Sequence, residues 1–170
     1  ENANSILIKV LEDVKQEPMV RHEAAEALGA IGSTEAIKIL EKYKTDSVVE
    51  VSETCELALD RIKWLQNPDN INLSNNPYNS VDPAPPSLSK NTTELKNILM
   101  NDTETLFNRY RAMFSLRNLK TKEAVEALGE SLFCGSALFR HEIAFVLGQL
   151  QDTNGIPFLK KSLENENENE

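Results

Sequence analysis

The sequence predicts an all-α fold, an α-solenoid of helix pairs set in two blocks that a Pro/Asn-rich linker joins. Three observations predict it: an internal repeat, apolar residues at helical spacing, and a composition that favours helices. Hydrophobic residues make up 40% of the 170 residues, charged residues 26%, aromatics 6%, and glycine occurs only six times. Alanine, leucine and glutamate are abundant, and these are good helix formers.

The repeat carries most of the weight. Arg21-His22-Glu23-Ala24-Ala25 matches Arg140-His141-Glu142-Ile143-Ala144, and Leu28-Gly29 then falls on Leu147-Gly148 at the same offset of 119 residues. Two weaker copies share the register at an offset of 31: Val51-Ser52-Glu53 with Ala58-Leu59, and Arg109-Tyr110-Arg111-Ala112 with Leu116. A period of about 31–33 residues built from helix pairs specifies an α-solenoid of HEAT or armadillo type.

The elements follow in order. Leu7, Val10, Leu11 and Val14 recur at helical spacing and predict a first helix. Pro18 stands where a second helix begins, a position that tolerates its missing N–H. Val20, Ala24, Ala27, Leu28 and Ile31 predict the apolar stripe of that helix, and Gly32-Ser33 ends it. Further helices are expected near 35–45, 49–65, 92–101, 104–118, 122–133, 137–150 and 154–163, with no strand.

Five prolines within 66–91 exclude a continuous helix there. The expected organisation is a first repeat block over 1–65, a linker over 66–91, a second block over 92–164 and a disordered acidic tail over 165–170. Residue 1 is glutamate, and the sequence is expected to be a central piece of a longer chain.

The formal net charge of -9 argues against nucleic-acid binding and suits a cationic partner, although solubility alone would also account for it. The two cysteines, Cys55 and Cys134, form no paired motif and predict buried free thiols. No stretch reads as a targeting peptide or a membrane span, and the expected compartment is the cytoplasm.

The two His-Glu pairs are the candidate chemistry. His22 and His141 are the only histidines, and both occupy the same repeat position. Adjacent helical residues point about 100° apart, so one pair chelates poorly alone and would need ligands from a neighbouring repeat. Imidazole with carboxylate and no thiolate suits iron or another first-row metal. His22-Glu23-Ala24-Ala25-Glu26 is not a zinc-protease HExxH motif, because position 26 is glutamate. Gly29 and Gly148 follow each histidine by seven residues, leaving room for a ligand or for close helix packing. Tyr110-Arg111 replaces the pair in one repeat and reads as structural, and a metal-free, partner-binding scaffold remains an open alternative.

Longer strings carry a family resemblance. They are the run from Gln16 to Gly32, Glu53-Thr54-Cys55, Ser80-Val81-Asp82-Pro83-Ala84-Pro85-Pro86, Arg109-Tyr110-Arg111-Ala112-Met113-Phe114, and Cys134 to Glu142. Together these resemble the deoxyhypusine hydroxylase family from about residue 5 to about residue 160. The resemblance implies a monooxygenase that uses two iron ions and dioxygen. It would complete hypusine on a protein substrate, the deoxyhypusine form of a eukaryotic translation initiation factor. Such a family carries four His-Glu motifs, of which this sequence holds the second, His22-Glu23, and the third, His141-Glu142. Carried over, His22, Glu23 and His141 are iron ligands, and Glu142 contacts the substrate amine. Neither nucleic acid nor membrane is implied as a partner. With half of each site, this stretch alone is expected to bind iron weakly and not to turn over.

Overall fold

The structure is a computed structural model that describes residues 3–67, 70 and 76–168. Among these residues there are nine α-helices and no strand, so the all-α class holds. The chain divides into two compact units, one of Glu1–Leu73 with Val81–Ala84, the other of Ser74–Ser80 with Pro85–Glu170.

The first unit holds α1 (Ala3–Glu12), α2 (Pro18–Ile31), α3 (Ile37–Tyr43) and α4 (Val49–Gln66), with a 3₁₀ turn at Thr34–Ala36 leading into α3. Helix α1 stops before Val14 because the Asp13 carboxylate accepts the Lys15 amide at 3.1 Å and turns the chain. Val14 is therefore 71% exposed and takes no part in the apolar face expected of it. Helix α2 starts with Pro18 in its first turn.

The buried face of α2 differs from the expected stripe. Val20 and Ile31 stay 44% and 50% exposed, while Arg21 and His22 are buried with Ala24, Ala25, Leu28 and Gly29. Small residues face inward because α2 and α4 approach closely. A Cβ on Gly29 would lie 2.8 Å from the Cβ of Ala58 and 2.9 Å from its Cα. Gly29 thus serves helix packing, whereas the matching Gly148 has open space where its Cβ would be.

The second unit holds α5 (Thr92–Met100), α6 (Leu106–Leu119), α7 (Lys122–Ser131), α8 (Ala137–Leu150) and α9 (Ile156–Leu163). Asn91, Thr105, Thr121 and Ser136 cap α5 to α8, each accepting a backbone N–H of the first turn. The buried Tyr110 ring lies 6.2 Å from Phe114 and 5.6 Å from Phe139, centre to centre, so Tyr110 is core.

Within the second unit, residues 76, 78 and 87 are fastened to α6. Ser87 donates its N–H to the Arg111 carbonyl, and Ser115 Oγ donates to the Ser87 carbonyl at 3.1 Å. The fully buried Arg117 donates to Asn76 Oδ1 and lies 4.7 Å from the Tyr78 ring centre. In the stretch read from sequence as a disordered tail, the Glu168 carboxylate accepts Arg140 Nε at 2.8 Å; Asn169 and Glu170, the end of that stretch, lie outside the described residues.

Two repeat positions keep one backbone role. Arg21 Nε donates to the Leu11 carbonyl at 3.0 Å, and Arg109 Nε to the Leu99 carbonyl at 2.9 Å, each satisfying the preceding helix near its end. Gly32, Lys120 and Gln151 share another repeat position, and all three adopt the left-handed conformation that ends α2, α6 and α8, with φ of 73°, 55° and 51°.

Candidate metal centre

His22 sits on the inward face of α2 and is 4% exposed. Its Nδ1 lies 2.6 Å from Thr54 Oγ1 on α4, and that hydroxyl lies 2.6 Å from the Glu50 carbonyl one turn earlier. The other ring nitrogen, Nε2, lies 3.6 Å from Glu26 Oε2 and 4.0 Å from Glu23 Oε1. The close packing of α2 on α4 holds this arrangement, because Gly29 and Ala58 admit no bulk between the helices.

The two carboxylates differ. Glu23 is 73% exposed along its side chain, and Glu26 33%. Burial, and then the neighbouring charges of Glu23 and Asp82, push the Glu26 carboxyl above its ordinary value. The nearest cysteine in sequence, Cys55, is fully buried, and that burial pushes its thiol up to about 12. What remains is one imidazole nitrogen flanked by carboxylates, an N/O donor set that fits a first-row divalent metal.

Within the first unit, Glu23 and Glu26 both stand near His22 Nε2, at 4.0 and 3.6 Å, and Thr54 stands at Nδ1; Glu26 and Thr54 were not among the residues the sequence singled out. Glu26 had a legible signal. It follows His22 by four residues and so shares its helical face, yet the failed HExxH match set it aside. Thr54 stands 31 residues after Glu23, at the equivalent repeat position, where no pattern of donor types marked it. In the second unit, His141 and Glu142 are neighbours on α8, the histidine exposed and the glutamate half-buried. Arg111, the repeat equivalent of Glu142, donates Nε to the Pro85 carbonyl at 3.2 Å and is structural.

Comparison with known proteins is specific. Residues 1–60 match the family of HEAT repeats, and residues 109–134 and 139–165 match the PBS lyase HEAT-like repeat. Deoxyhypusine hydroxylase of Drosophila melanogaster is 60% identical over 169 residues, covering 99% of this chain and 56% of the relative. The Danio rerio protein of the same name is 55% identical over 172 residues, covering 99% and 56%. The Homo sapiens protein is 52% identical over 158 residues, covering 93% and 52%. The solved structure of human deoxyhypusine hydroxylase in complex with glycerol superimposes with a TM-score of 0.92 at 51% identity, covering 98% of this chain and 58% of that one. The chain spans about half the length of the curated relatives it matches.

Proposed function

From the premise that this chain belongs, over the length it spans, to the deoxyhypusine hydroxylase family, we propose that it carries part of the iron centre of a deoxyhypusine monooxygenase. The protein would hydroxylate the deoxyhypusine side chain of a translation initiation factor in the cytoplasm. His22, Glu23 and His141 are the iron ligands in this reading, and Glu142 holds the substrate amine. Bound iron would supply the activation of dioxygen that an unreactive C–H bond requires.

The chain's own residues do the positioning. The observation that carries the reading is His22, buried, fixed through Nδ1 by Thr54, with Nε2 beside two carboxylates. Metal-binding histidines are held in this way, one nitrogen on the metal and the other tied to an oxygen. A half-buried carboxylate such as Glu142 is suited to an ammonium, since an ion pair strengthens as water is excluded. The net charge of -9 also favours approach of a cationic side chain.

The test uses the complete protein that contains this stretch. His22→Ala and His141→Ala should each lose bound iron, measured by elemental analysis, and hydroxylation of a deoxyhypusine-bearing substrate. Glu142→Gln should keep iron and raise KM for the substrate. Full iron content in the double histidine variant would overturn the ligand assignments of His22 and His141, and a wild type that takes up no iron would instead leave a metal-free, partner-binding scaffold. The isolated 170 residues should bind iron weakly and show no turnover.

A further inference from the structure

We infer that Thr54 is a positioning residue for His22: its hydroxyl fixes the ring as the Nδ1–H tautomer and leaves the Nε2 lone pair for a metal. The inference rests on His22 being a ligand, but its structural half stands on a proton count. Two short contacts meet at Thr54 Oγ1, one to the Glu50 carbonyl and one to His22 Nδ1, each 2.6 Å. Heavy atoms at such distances repel unless a proton lies between them, so two protons are needed. The Glu50 carbonyl has none to give, and a hydroxyl has one. Thr54 therefore donates to Glu50 and accepts from the ring, which must supply its own proton at Nδ1.

Rotation is restricted as well. Thr54 is 3% exposed and His22 4%, so water does not compete for either group. Threonine is β-branched, and in a helix its hydroxyl commonly bonds the carbonyl one turn back, which sets its χ1. The backbone of α4 thereby fixes the hydroxyl, the hydroxyl fixes the imidazole, and the imidazole turns Nε2 toward Glu26 and Glu23. Outer partners of this kind commonly change metal affinity about 10–100-fold.

Thr54→Val keeps the shape and removes the acceptor, while Thr54→Ser restores it. Nitrogen-15 correlation spectra of the metal-free chain, with His22 assigned by loss of its signals in His22→Gln, should show Nδ1–H in the wild type and Thr54→Ser. Thr54→Val should show a mixture or Nε2–H. An Nε2–H ring in the wild type, or an unchanged ring in Thr54→Val, overturns the inference. In the complete protein, titration with Fe(II) should show affinity about 10–100-fold weaker in Thr54→Val and near normal in Thr54→Ser. Affinity unchanged in Thr54→Val but lost in His22→Ala overturns the positioning role alone. Affinity unchanged in both, with the tautomer still altered, overturns the ligand assignment of His22 instead. Should Thr54→Val fail to fold, Thr54→Cys, with its weak acceptor, gives the same comparison against Thr54→Ser.

Discussion

Arg21 Nη2 donates to Asp46 Oδ2 at 2.6 Å, and the two side chains are only 4% and 9% exposed. The guanidinium therefore ties α2 both to the end of α1, through the Leu11 carbonyl, and to the turn before α4. That hydrogen bond, aided by the Val48 N–H, holds the Asp46 carboxyl below its usual 3.8. A depressed folded value means the stabilisation is fully present above the unfolded pKa and is lost as pH falls through the folded one. Asp46→Asn should cost about 3–5 kcal/mol at neutral pH, as buried pairs do when one partner is removed. Urea unfolding below about pH 4 should show the wild type losing stability and the variant losing less.

The paired glycines predict opposite effects. Gly29→Ala would press a methyl against the Cα of Ala58 and should destabilise by about 1–3 kcal/mol. Gly148→Ala meets nothing within reach and should stabilise α8 by about 0.5–1 kcal/mol, the usual gain of alanine over glycine inside a helix. Thermal or urea denaturation distinguishes the signs.

Cys55 should resist thiol reagents. It is fully buried, and its thiol is pushed up to about 12, so almost no thiolate is present at pH 8. Cys134, expected from the sequence to be buried as well, is only half-buried, so titration with a chromogenic disulfide at that pH should release one equivalent quickly, from Cys134, and the second only on unfolding. Fast release of two equivalents would contradict the packing of α4.

Glu26 should matter to metal binding more than its place outside the His-Glu pair implies. Its carboxylate is closer to His22 Nε2 than that of Glu23 and far less exposed. Glu26→Gln in the complete protein should weaken Fe(II) affinity about 10-fold or more, the range typical of groups supporting a ligand. An unchanged affinity would make Glu26 a bystander.

Much of this was legible in the sequence, and the failures have physical causes. Helix positions followed from apolar spacing, from Pro18 and from Gly32-Ser33 at the end of α2, whereas the caps Thr105, Thr121 and Ser136 emerged only in the structure. The inward face of α2 did not, because hydrophobicity ranks Val20 and Ile31 above Arg21 and His22, while the fold buries the residues that find partners. His22 and Glu23 were visible because the repeat duplicates their pair. Thr54 was not, since a hydroxyl earns significance only from the ring placed against it, which is a fact of packing and not of spacing.

The left-handed residue that closes α2, α6 and α8 has a consequence for engineering. Gly32 accepts that geometry freely, but Lys120 and Gln151 carry side chains that the same φ disfavours by about 1 kcal/mol. The repeat thus keeps one backbone bend at all three positions, with the residue that suits it at only one. Glycine at 120 and 151 would relieve both, giving a hardier protein with His22, Glu23, His141 and Glu142 unaltered.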